Sequence, residues 1–372
     1  MEQPTAVELM DRFAERTGLG SGKEPQRYLW TDAFALVNWL ELHRQSREPR
    51  FRALALEQID QVHRVLGRHR PDDSRTGWLS GLPEDEGAAH PTAGGLRIGK
   101  PLPERGPADP HDERLEWDRD GQYFHYLTKW MDALARAGTL LAAPRFLDWA
   151  AELAAATFPR FLQRSATGEP LGLAWKMSID LSRPQVSGLS PHDALDGYVT
   201  FRWLAATGAA PALDEEIAVL SGLVHGRRWG TADPLGLGGL LLDAMRLALL
   251  PGTSGKDEAL LGAITAGVAG GLAHFLHDGT LEQPASRRLG FREIGLAIGL
   301  QGLGPLEARD GGLVAALKAA LPVGERIIEF WLDERNRQSP TWLDHLDIND
   351  VMLATALLEA QAGTAVLRSP AR

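Results

Sequence analysis

The chain has 372 residues, 44% of them hydrophobic, enough for a large core in one or two domains. Its net charge of −10 and pI near 5.6 exclude nucleic acid as the main partner, because phosphate contacts need a basic face. Zero cysteines exclude disulfides, thiolate catalysis and cysteine-based zinc sites.

Apolar residues recur with helical spacing in almost every segment, and no segment alternates as a half-buried strand does. The start, Met1-Glu2-Gln3-Pro4, carries neither a basic nor an apolar leader region, which predicts no secretory signal and a cytoplasmic protein. A first helix fits residues 4–17. Thr31-Asp32 opens "TDAFALVNWLELHRQ", and "RFRALALEQIDQVHRVLGRH" follows the break at Pro49. A long irregular stretch, 70–119, precedes "GQYFHYLTKWMDALARAG" and "PRFLDWAAELAAATFPRFLQR". A loop over 165–190 leads to "HDALDGYVTFRWLAATG" and "ALDEEIAVLSGLVHG". Then come "PLGLGGLLLDAMRLALL", "KDEALLGAITAGVAGGLAHFLHD" and "RLGFREIGLAIGLQGLG". "GGLVAALKAALPVGERIIEFWLDER" reads as one helix, and "DINDVMLATALLEAQAG" as the twelfth and last. None of these runs is read as reaching the roughly 20 apolar residues a membrane span needs, so no membrane contact is expected.

The helices alternate in kind. One kind, best seen at 235–250, 289–303 and 347–361, is apolar on most faces and rich in Gly and Ala. A helix apolar all round is buried all round. The other kind, such as 51–68 or 311–335, has a charged stripe. Six buried and six half-exposed helices in alternation predict an all-α (α/α)6 toroid, a single domain over 1–372, closed by the first helix against the last inner one. The rival, an open solenoid, needs polar caps at its ends.

Six helical hairpins of this kind resemble the six-hairpin glycosidase superfamily and its neighbour, the N-acylglucosamine 2-epimerase-like enzymes. "YLWTDAFALVNWLEL" is similar to the Trp-Thr-x-x-Phe opening of unsaturated glucuronyl hydrolases. Their His-Asp-x-Gly-Phe signature is absent, and "HDALDGY" at 192–198 only echoes it. The epimerases' Arg-x-x-Trp-type signature is not seen. The resemblance implies a fold; function has to come from the site.

In such a ring the loops before the inner helices converge on one mouth. They read "RYLWTD", "RLEWDRDGQ", "GLSPHDALDG", "RRWGTADPLG", "PASRRLGFRE" and "TWLDHLDIND". Each holds an acid and four of the six hold a Trp, whereas opposite connections such as "RAGTLLAAP" are bland. Trp30, Asp32, Trp117 and Gln122 belong to this set, with Trp175, His192 and His345 beside them. Many of the acids suit helix caps, whose oxygen satisfies free backbone N–H groups. Asp120, Ser190 with Asp193, Asp233 before Pro234, Asp344 and Asp347 fit that pattern. Asp196 and Glu293 lie inside buried helices next to glycine, where a carboxylate is costly unless paired or facing a wet cavity. Both are therefore catalytic candidates, with Arg292 the expected partner of Glu293. Asp118 is the third acid candidate and His125 a possible proton carrier. Tyr126 and Trp130 are expected in the core.

The 70–119 stretch is too long for an ordinary connection and predicts a lid over the mouth, with Trp78, His90 and Arg97 pointing inward. Arg97 and Lys100 bracket glycine and suit an anion, as do Lys176 and Arg292. "GGLRIGK" lacks the Ser/Thr and preceding strand of a Walker A loop. His90, His125, His192 and His345 lack the i, i+4 pairing of a helical zinc site, so no metal is expected, and no motif asks for a cofactor.

Paired acids with Trp faces predict a carbohydrate-active enzyme, most concretely a glycoside hydrolase acting on a small or oligomeric sugar, and the rim bases suit an anionic one. Asp196 with Asp118 or Glu293 is the expected pair. A sugar epimerase or isomerase using His125 and a second histidine is the alternative, and a non-catalytic binding protein on the same scaffold is the third.

Overall fold

The computed structural model describes residues 3–106, 109–306 and 311–359. In chain order its helices begin with α1 (Ala6–Thr17), α2 (Leu29–Ser46), α3 (Pro49–Leu66), and the short α4 (Glu84–Ala89) and α5 (Glu113–Asp118). The strand β1 (Gln122–Tyr123) leads into α6 (Phe124–Leu140) and α7 (Pro144–Phe161), and β2 (Leu162–Arg164), β3 (Pro170–Leu173) and β4 (Lys176–Met177) follow. Next are α8 (Pro191–Thr207), α9 (Asp214–Val224), α10 (Pro234–Leu249), α11 (Gly255–His277) and α12 (Gly290–Gln301). The remainder is α13 (Gly311–Lys318), α14 (Leu321–Leu332), α15 (Glu334–Arg337), α16 (Pro340–Leu343) and α17 (Leu346–Leu358). The expected helix over 311–335 is three pieces, because Pro322 cannot donate to a helix running through it and instead starts α14. The chain groups into two compact units, Thr17–Val224 and Met1–Arg16 with His225–Arg372.

In the Thr17–Val224 unit, α2, α6 and α8 lie side by side, and α3, α7 and α9 each pack behind the preceding member as its hairpin partner. The sequence difference between the two layers is physical. Every residue of α2 from Leu29 to Leu42 is buried, whereas α3 buries a single stripe. The turn between them works because Arg47 takes a left-handed φ of 62° and Pro49 starts the next helix. The layers are joined by specific contacts. Trp39 stacks on Phe51 at 6.0 Å, and Trp130 donates its indole N–H to His63 Nε2 at 3.1 Å. Burial pushes the His63 imidazole down to about 3, so it stays neutral and can accept that bond. Two short antiparallel ladders, β1 with β4 and β2 with β3, tie the loops to the helix ends.

In the other unit α10, α12 and α17 are neighbours, with α11 behind α10 and α14 behind α12. Arg16 of α1 reaches Asp347 at 2.7 Å and Asp350 at 2.9 Å on α17. Glycine explains the close approach of α10 and α12. A Cβ on Gly238 would sit 2.0 Å from the carbonyl oxygen of Gly295. On α11, Gly267 and Gly271 similarly admit the carbonyls of Trp229 and Thr231. The expectation about apolar length needs correction: Gly255–His277, at 23 residues, is long and apolar enough to cross a membrane by length and composition. Within this unit it buries one helical stripe, Leu260, Ile264, Val268, Leu272 and Phe275.

Around Trp78, His90 and Arg97 the 70–119 segment is packed as a brace, and these three residues expected to point inward from a lid are engaged with the framework. Trp78 is buried between the Arg68 guanidinium, 4.2 Å from its ring, and Gly87, where a Cβ would lie 2.1 Å from the indole. His90 Nδ1 meets Glu152 of α7 at 2.5 Å. The backbone N–H of Arg97 donates to Leu66 and its guanidinium to Val65 and Arg68, supplying carbonyls at the C-terminal end of α3. Free helix-end carbonyls need such partners, and this loop provides them.

Candidate functional site

Aromatic and ionisable side chains gather at the N-terminal ends of α2, α6 and α8. The loop 113–123 and the strand β4 frame them. A continuous run of ring contacts crosses this region: Trp175 to Trp117 at 5.4 Å, Trp117 to Tyr123 at 6.3 Å, and Tyr123 to His125 at 5.1 Å. His125 and Tyr126 then meet Trp30, at 6.1 and 5.3 Å. Trp175 is 41% exposed, and Trp117, His125 and Tyr126 are half-buried, so one edge of this wall is open to solvent. Tyr126 is thus a wall residue and not core, its hydroxyl bonded to that of Tyr28 at 2.9 Å, while Trp130 is fully buried as expected.

Against the wall, His125 Nδ1 lies 3.1 Å from Asp193 Oδ2. Asp193 is buried and its other oxygen accepts from Ser190 at 2.6 Å, which fixes the carboxylate. Such a pairing fixes the ring orientation. Ser190 caps α8, its Oγ accepting from the Asp193 N–H, but the capping box expected of the pair is not closed: the Ser190 N–H donates to Leu173 and Asp193 orients a histidine instead. The pattern of a cap hid that role. Asp118, exposed at the end of α5, lies in the field of the Lys100 and Lys176 ammonium groups. Asp196, one turn into α8, accepts from Thr128 at 2.5 Å and from Lys129 at 2.8 Å. It bridges α6 and α8. His192 stands half-buried at the start of the same helix.

Several expected wall residues serve the framework. Asp32 is buried against Arg27 at 3.0 Å and accepts from Gln58 and the Tyr28 N–H. Gln122 is buried, bonding Leu96, Gly94 and Ile179 of the loops, so it is a clamp rather than site wall. Asp120 is not a cap of α6, which begins after Tyr123 without a side-chain cap. Its buried carboxylate takes Arg97 at 2.7 Å, Arg70 at 3.4 Å and the N–H groups of Gly99 and Gly121 at 3.0 Å. Arg97 is therefore engaged internally and does not offer an anion contact. Lys100 donates to the carbonyl of Trp117, and Lys176 to those of Glu116 and Arg119.

The remaining candidates belong to the other unit. Glu293 is buried and held bidentately by Arg288, with bonds of 2.9 and 2.6 Å, and accepts from Trp331 Nε1 at 3.0 Å. Its partner is Arg288, not Arg292. Arg292 instead reaches Asp233, the N-cap of α10, at 2.6 Å. His345 is exposed with its ring 5.5 Å from Phe291. Among the described residues no group of three His, Asp or Glu side chains is arranged to hold a metal ion.

No protein-family model matches the sequence, and neither does any curated protein. Among solved structures, the chain is similar to a GH76 α-mannanase of Bacteroides thetaiotaomicron, with a TM-score of 0.54 and 9% identity over 95% of this chain and 94% of that one. At that identity the likeness speaks for the fold. The fold class is the all-α (α/α)6 type that the helix pattern called for.

Proposed function

We propose that this protein is a carbohydrate-active enzyme of the glycoside-hydrolase type, with its site on the aromatic wall at the ends of α2, α6 and α8. The observation that supports this reading best is the juxtaposition of a ring wall running from Trp175 to Trp30, open to solvent at Trp175, Trp117, His125 and Tyr126, with a solvent-facing carboxylate and a carboxylate-oriented histidine. Aromatic faces bind the apolar faces of sugars, and hydrolysis needs one group to protonate the leaving oxygen and another to activate water or attack. The fold-level likeness to an α-mannanase agrees with it. Asp118 takes the role of the carboxylate that activates water. His125, oriented by Asp193, carries the proton as general acid or base. Asp196 keeps α6 and α8 in register through Lys129 and Thr128 and serves as the second carboxylate of the site.

The His125–Asp193 contact also favours a second reading, a sugar epimerase or isomerase in which His125 abstracts a proton from carbon. One experiment separates them. A panel of oligosaccharides and reducing sugars is incubated with the wild type in D2O, followed by reducing-end release and mass spectrometry. Release of reducing ends, lost in Asp118→Asn, supports hydrolysis. Deuterium entering an intact sugar, lost in His125→Gln, supports epimerisation. If neither occurs, both enzymatic readings fall and sugar binding alone remains.

A further inference from the structure

Trp117 and Asp118 lie on α5, a six-residue helix whose last carbonyls have no helical partner. Two lysines supply those partners. Lys176 Nζ is 2.5 Å from the carbonyl oxygen of Glu116 and 2.5 Å from that of Arg119, and Lys100 Nζ donates to the carbonyl of Trp117. Both ammonium groups lie over the Tyr123 ring, at 5.3 and 5.5 Å from its centroid. Lys176 is fully buried and Lys100 half-buried. Strand β4 fixes the stem of Lys176 by pairing Lys176 with Tyr123 across the ladder. Each group therefore has one geometrical task, and Lys176 has the larger one because it closes both sides of the Trp117–Asp118 turn.

We propose that Lys176 is the positioning residue of the site: it holds the 116–119 turn so that Trp117 joins the aromatic wall and Asp118 stands beside it. The inference rests on the reading that this wall is the carbohydrate site. The groups facing Lys176 are Lys100, Asp120, Glu116 and Asp118, with the Tyr123 ring and the Arg119 carbonyl. Burial, reinforced by Lys100 and opposed by the three carboxylates, pushes the Lys176 amine down to about 7. Two carbonyls need two N–H donors, and a neutral amine has two. In an opened turn the lysine returns to water and to its usual value near 10.5. The closed turn then binds fewer protons than the open one between about pH 7 and 10, so raising pH over that window favours closure. Below about pH 7 both forms are protonated and the preference is flat.

Hydrogen exchange of the intact protein, read on peptides spanning 113–121 and corrected for the intrinsic pH dependence, tests this without any sugar. Protection in the wild type is expected to rise by up to about tenfold per pH unit between pH 7.5 and 9.5, the limit for one linked proton. Lys176→Arg should flatten that slope, because guanidinium stays charged. Lys176→Met should lower protection of 113–121 at least tenfold while leaving peptides of α3 unchanged. A wild-type profile without the rise, or a slope that persists in Lys176→Arg, overturns the proposal even where a variant folds poorly. A positive exchange result without sugar turnover or binding would overturn only the functional reading.

Discussion

The acids at the N-terminal ends of the buried helices behave differently in the two units. On α10, α12 and α17 each has an arginine: Asp233 with Arg292, Glu293 with Arg288, Asp347 with Arg16. Around the ends of α2, α6 and α8 arginine takes Asp32, Asp120 and, on α5, Glu116. Asp193 faces a histidine, Asp196 a lysine, and Asp118 the field of two lysines. Guanidinium holds its charge and a fixed fork geometry, so it locks a carboxylate in place. Histidine and lysine offer no such fork. The difference teaches that an acid's partner, more than its position on a helix, separates scaffold from candidate chemistry.

The largest effect should come from the brace. Deleting residues 80–112 removes the buried Leu96 and Ile98 together with Arg97, which Asp120 and the carbonyls at the end of α3 both use. The expected outcome is loss of the cooperative thermal transition in circular dichroism; a sharp transition with native helix content would restore the idea of a dispensable lid. Next is Glu293→Gln, which leaves Arg288 buried without its anion. Breaking a buried pair from one side costs about 3–5 kcal/mol, to be read from urea unfolding. Asp118→Asn, exposed and outside any such cage, should change the same curve by less than about 0.5 kcal/mol. Comparable losses for the two would break the contrast between the units.

Activity sharpens it from the other side. Turnover of whichever sugar is found should fall at least about 100-fold in His125→Gln, the scale of a lost general acid or base, with the melting temperature nearly kept. Acid stability gives a smaller, continuous signal. His63 has its folded value lowered to about 3 from an ordinary 6.5, so its neutral form is favoured in the fold. That contribution is complete above about pH 6.5 and is lost as pH falls toward 3, at up to ~1.4 kcal/mol per unit. His63→Phe should remove this part of the slope in a pH series of urea titrations. A modest effect is expected at Asp233→Ala, about 1 kcal/mol for a lost cap whose pairing with Arg292 is partly exposed, still above that of Asp118→Asn.

The sequence by itself determined most of the long helices and their two kinds, because apolar periodicity and Gly-Ala content report burial directly. Asp233-Pro234 opening α10, and Ser190 with Asp193 opening α8, were legible for the same local reason: a cap acts on backbone within one turn. The neighbourhood of Trp30, Trp117, Trp175, His125 and Asp118 was also legible as decorated helix openings. What each polar group does was decided only by the tertiary structure. Nothing local shows that Asp120 would meet Arg97 and Arg70, or that Glu293 would choose Arg288 over the adjacent Arg292. The loop over 70–119 reads as a lid by length alone, yet carbonyls at the end of α3 recruited it as a brace. Lys176 reads as a rim base for an anion, yet it pairs with Tyr123 through β4 and donates to the Glu116 carbonyl of α5. A buried charge is viable only where partners from elsewhere in the chain converge on it, and that convergence is set by packing.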